Sequence, residues 1–89
     1  MSTVDLVVAE RKREIERHRF VVDGTTVTPR EVDESPAAVV LTLTPDDASA
    51  LKSGDLDLSV AFMRGTMKMA GDYGVLLEVL PALARATLF

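Results

Sequence analysis

The tetrapeptide Thr44-Pro45-Asp46-Asp47 divides this chain into halves that obey different rules. A threonine able to accept from a backbone N–H, a proline at the first helical position and an acid at the third together mark a helix start. Ahead of that point the pattern is that of strands. Val4 to Ala9 is short and β-branched, Ile15 to Val22 ends in Phe20-Val21-Val22, and Asp23-Gly24 is a strong hairpin signal with Thr25 to Thr28 as the returning strand. Pro29 and Pro36 bracket an acidic loop, after which Ala37 to Thr44 alternates Val39, Leu41 and Leu43 against Val40, Thr42 and Thr44.

Ala9 to Phe20 admits two readings. It is rich in helix formers, but Glu10 would face Glu14 and Arg13 would face Arg17 across a helical turn, and Ile15 and Phe20 make a thin apolar face. Strand, turn at Glu10 to Arg13, and strand is the favoured reading. Behind Thr44 the punctuation is helical. The first helix ends at Ser53-Gly54; Asp55 caps a second from Leu56 to about Met63, which Gly65 stops. Thr66 to Ala70 reads as a strand with Met67 and Met69 on one face and Lys68 on the other. Asp72 caps a last helix bearing Leu76, Val79, Leu80 and Leu83, bent or restarted near Leu80 by Pro81. This order predicts an α+β two-layer domain, a sheet covered on one face by helices.

At 89 residues the chain has room for one domain, residues 1–89. Its 47% hydrophobic content excludes a disordered tail, and 10 basic against 14 acidic residues leave no overall footprint for a nucleic-acid backbone. With no cysteine there are no disulfides, thiolate metal sites or cysteine nucleophiles. Residues Met1 to Asp5 have no basic leader region, and no stretch reaches the ~18 apolar residues of a membrane span, so the expectation is a soluble cytoplasmic protein.

Little chemistry is available. His18, between Arg17 and Arg19, reads as a surface strand residue rather than a general base. Asp46 with Asp47, and Asp55 with Asp57, sit where helix capping accounts for them, so neither a metal nor a cofactor is expected. Arg11-Lys12-Arg13 with Arg17 and Arg19 could form a basic patch, but Glu10, Glu14 and Glu16 interleave with it and favour a solvated turn. No serine elbow or phosphate loop occurs. Enzyme activity is not expected, and no catalytic residue is assigned.

Leu41 to Ala48, Ser53-Gly54-Asp55-Leu56 and above all the run Ala61-Phe62-Met63-x-Gly65-x-Met67-Lys68-x-x-Gly71-Asp72 resemble a sterol carrier protein type two domain. The likeness is good over about Ala37 to Leu83 and holds by pattern alone at the front, where the long first helix usual in that family is missing. The resemblance implies a mixed five-stranded sheet with helices on one face, around an apolar tunnel for sterols, fatty acids or acyl-coenzyme A. It also recasts Met63, Met67 and Met69, which on their own read as core filler, as adaptable pocket lining. The implied ligand-binding set is Phe20, Leu56, Val60, Met63, Met67, Met69, Leu76, Val79, Leu80 and Leu83. The expected activity is non-catalytic carriage of an apolar small molecule, with no stable membrane insertion. The rival expectation is a homodimerising or enzyme-docking accessory domain that binds no lipid.

Overall fold

The computed structural model describes residues 1–86. The elements are β1 (Ser2–Glu10), β2 (Arg13–Asp23), β3 (Thr26–Arg30), β4 (Val39–Leu43), α1 (Pro45–Ser53), α2 (Leu58–Met63), β5 (Lys68–Gly71) and α3 (Tyr73–Arg85). The strands form one mixed sheet in the order β3-β2-β1-β4-β5. All neighbours are antiparallel except β1 and β4, which run parallel. The fold is α+β, with the helices on one face of a five-stranded sheet.

Alternation sets that face. Val4 pairs with Phe20 and with Val39, and Leu6 with Leu41, so their side chains rise together toward Leu58, Ala61, Leu76, Val79, Ala82 and Leu83. Each leucine so buried contributes on the order of 1.5–3 kcal/mol. The stretch from Ala9 to Phe20 is strand, turn and strand. The turn is the pair Arg11-Lys12, with Arg11 at φ 58°, while Glu10 and Arg13 already face each other in the ladder.

β3 and β4 are parallel and separated by two strands, so residues 31–38 must carry the chain back across β2 and β1. The crossing lies on the face away from the helices: Arg19, which alternates with the core residue Phe20, reaches Asp33 and the Ser35 carbonyl within it. That crossing buries β1 on both faces and explains its continuous buried run from Val4 to Val8.

Four boundaries differ from the sequence reading, each for a local reason. β3 continues through Pro29, which an edge strand tolerates because it has no ladder partner on one side. α2 begins after Asp57, not Asp55, because the N–H groups of Asp55 and Leu56 both donate to the Ala50 carbonyl and are consumed in finishing α1; Asp57 then accepts from the Ser59 N–H at 2.8 Å. β5 starts at Lys68, since the Thr66 hydroxyl donates back to the Ala61 carbonyl and stays with α2. α3 runs unbroken through Pro81, whose ring lies on the exposed side.

The glycines of the recognised run also have a structural basis. Gly71 adopts φ 105°, and a Cβ there would stand 2.3 Å from the Ala38 carbonyl oxygen, which accepts from the Asp72 N–H. Asp72 caps α3 through the Val75 N–H, as Thr44 caps α1 through that of Asp47.

Candidate functional site

Helix α1 ends in a left-handed glycine, Gly54, and the following turn swings Leu56 and Leu58 under the C-terminal part of α3. Between them lies an opening of about 390 Å³. Buried Leu58 and Leu83 form its floor and half-buried Leu51 and Leu56 its walls, while Lys52, Ser53 and Asp57 stand on its rim. Leucine side chains behind a polar, charged rim offer the end of a hydrocarbon a small apolar surface and leave a polar group in water. Among the described residues the lining contains no histidine, and its one side-chain hydroxyl, Ser53, stands 3.0 Å from Asp55 Oδ2 and 3.1 Å from the Ala50 carbonyl at the end of α1.

Of the ten residues assigned to the pocket from sequence, Leu56 and Leu83 line this opening. Phe20, Met67, Leu76 and Val79 lie within the buried core, with Met69 and Leu80 packed against it. Val60 is 46% exposed and Met63 83% exposed, both on the outer side of α2. The three methionines therefore do not act together: Met67 is 5% exposed, Met69 is half-buried and Met63 is on the surface. Tyr73 and Leu77 of α3 are exposed as well, and the Phe62 and Tyr73 rings approach to 6.3 Å between centroids, so α2 and α3 share an apolar outer patch.

Sequence reasoning missed a charged cluster on the helix-free face. Arg17 and Arg19 are not solvated members of a turn. Arg19 is 5% exposed and makes a two-pronged contact with Asp5, itself wholly buried, through Nε to Oδ1 at 2.7 Å and Nη2 to Oδ2 at 3.1 Å. Arg17 Nη1 reaches the same carboxylate, and Arg19 Nη1 bonds Asp33 Oδ1 at 2.7 Å. Burial alone would push the Asp5 carboxyl up; hydrogen bonds from Arg19 and Arg17 more than reverse this and hold it below the usual range. Asp33 is held low by the Ser35 hydroxyl and N–H, with Arg19 adding to them. The cluster fastens the crossing segment to the sheet. Its one signal in the sequence was an acid, Asp5, set among Val4, Leu6, Val7 and Val8.

His18 lies half-buried on β2, its Nε2 3.4 Å from Glu16, whose other oxygen is 3.5 Å from Lys52 of α1. No helix among the described residues is long and apolar enough to cross a membrane.

Helices on one face of a mixed five-stranded sheet, with a leucine-lined opening at their edge, define an α+β domain of the lipid-carrier type. The chain belongs to the SCP-2 sterol transfer family, whose model matches residues 12–84. Solved structures show the same fold. Sterol Carrier Protein 2 Like 2 from Aedes aegypti superposes with a TM-score of 0.61 at 15% identity, covering 91% of this chain and 72% of that one. Sterol Carrier Protein-2 from Aedes aegypti, in complex with the C16 fatty acid palmitate, gives 0.58 at 15% identity over 100% of this chain and 76% of that one. The sec-alkylsulfatase Pisa1 from Pseudomonas sp. gives 0.55 at 24% identity, covering 91% of this chain but 12% of that one. A comparison with curated proteins finds no match.

Proposed function

We propose that residues 1–89 form a single non-catalytic lipid-carrier domain, cytoplasmic, that takes a fatty acyl or sterol-like molecule between the sheet and the helices and admits it at the opening floored by Leu58 and Leu83. The observation that carries this reading is the family match over residues 12–84. Further support comes from the palmitate held by a protein of the same fold. Of the pocket set, Leu56 and Leu83 meet the ligand first; Phe20, Met67, Leu76, Val79 and Leu80 line the interior that opens as the acyl chain enters, with Met69 at its edge. Val60 and Met63 flank the entry from outside. Few polar groups contact such a ligand, so discrimination among chains of similar length is weak. Support for the non-catalytic part of this reading comes from the inventory, which has no cysteine and one histidine, 3.4 Å from Glu16.

Protein purified without denaturants and examined by native mass spectrometry should carry lipid-sized adducts or, once stripped, bind a fluorescent fatty acid saturably. A chain that does neither ends this reading. The exposed Val60, Met63, Tyr73 and Leu77 favour a second reading, a protein-docking or self-associating domain without lipid. The same spectra separate the two, because that reading requires no adduct, with a dimer mass where the chain self-associates.

A further inference from the structure

We infer that the chain carries an anion site, apart from the apolar opening, that takes a phosphate monoester group at the end of the sheet where β1, β4 and β5 meet. A cavity of about 170 Å³ there is lined by Arg11, Thr42, Thr44, Thr66 and Lys68 among others. A water occupies about 30 Å³ of liquid, so the space accepts a five-atom oxyanion with part of its hydration.

Three elements bring its polar groups together. Thr42 of β4 faces Lys68 of β5 in the ladder, which places both side chains on the helix-free face. Arg11 enters from the β1–β2 turn, where its left-handed backbone at φ 58° departs from the strand direction. Thr44 accepts from the Asp47 N–H, which leaves its own proton to donate. Thr42 has no side-chain hydrogen bond among the described residues.

The charge balance points the same way. Acids outnumber bases 14 to 10 along the chain, and Arg17, Arg19, Lys52 and Arg64 are each met by a carboxylate. The other six, Arg11, Lys12, Arg13, Arg30, Lys68 and Arg85, have no ion pair among the described residues; of these, Arg11 and Lys68 converge on one cavity, and no acid lines it. Two separate cations with hydroxyl donors between them match a doubly charged tetrahedral group better than a flat, singly charged carboxylate.

The test is an amide NMR titration of the full chain with inorganic phosphate at low salt. The amides of Thr42, Thr44, Thr66 and Lys68 should shift saturably. Arg11→Gln and Lys68→Gln should each weaken the binding about tenfold. Arg13→Gln, which removes an exposed charge at the start of β2 that is not in the cavity's lining, should leave it unchanged. Absence of a saturable shift, or an equal loss in Arg13→Gln, overturns the site. Phosphatidylcholine vesicles with and without phosphatidic acid identify the source. Retention by the phosphatidic acid vesicles that is lost in Lys68→Gln assigns the group to a lipid headgroup, and phosphate binding without such retention assigns it to a soluble phosphomonoester. Fatty-acid binding by Lys68→Gln should match the parent, so failure here and failure of the carrier reading are separately visible.

Discussion

Asp5 is the residue on which the helix-free face depends. Its carboxylate is 0% exposed and meets two guanidiniums, so the desolvation it suffers is offset only while both remain. Asp5→Asn keeps the volume and removes the charge, leaving buried Arg19 with the half-exposed Asp33 as its one remaining anion, and should cost about 3 kcal/mol in urea unfolding. Replacing Asp5 by Leu and Arg19 by Met together should recover most of that, because a well-packed apolar pair of similar size avoids the desolvation cost altogether. The pH dependence has a definite sign. The folded carboxyl titrates below its unfolded value near ~3.9, so its contribution is fully present above that value and is lost as pH falls through the lower, folded one. Melts from neutral pH downward should be flat until the carboxyl range and then drop, with a smaller drop in Asp5→Asn. An identical acid limb in the two proteins would remove Asp5 from the account.

At the scale of elements, the first residue of β5 and the one just before it make a sharp contrast. Met67 packs in the core and Lys68 faces outward. Met67→Glu should lower stability by at least 2–3 kcal/mol, since its carboxylate is buried unpaired or forced to protonate. Lys68→Glu should leave the melting temperature nearly unchanged, and equal damage from both would contradict the alternation. In α3, Pro81 removes the hydrogen bond to the Leu77 carbonyl and crowds it, a defect costing up to ~3 kcal/mol in a helix interior. Pro81→Ala should therefore stabilise the protein by about 1–3 kcal/mol, and a lower melting temperature would show that the ring is needed where it packs. These elements also mark how far the sequence could be read. Caps at Thr44 and Asp72, the glycine stop at Gly54 and the alternation of β4 are signals within a few residues, and each is seen in the structure. The crossing of 31–38 over β1 is a matter of strand order, which periodicity does not encode, so Arg17 and Arg19 looked solvated when β1 was in fact buried on both faces. The pocket suffered similarly. Spacing places Val60 and Met63 on one side of α2 but does not say whether that side meets the sheet or the solvent.

For the molecule as a whole, the proposed carrier function links ligand occupancy to folding stability, because an acyl chain taken between the layers would bind the folded state and not the unfolded one. At a ligand concentration about 100 times Kd the gain is about 2.7 kcal/mol. In a domain of this size each kcal/mol moves the melting temperature by about 4–8 °C, so saturating palmitate should raise it by roughly 10–20 °C. The increment should grow with the logarithm of palmitate concentration and not with protein concentration. The rival, self-association through the α2–α3 patch, reverses that dependence: melting would then rise with protein concentration and ignore palmitate. Leu56→Asp separates entry from bulk stability. Leu56 is half-buried at the wall of the opening, so a carboxylate there should leave the unliganded melt within a few degrees. It should nonetheless remove most of the palmitate increment, since the acyl chain must pass a charge it cannot desolvate. A full increment in Leu56→Asp would place the ligand's route elsewhere on the helix layer, and the exposed side of α2 at Val60 and Met63 would become the next place to mutate.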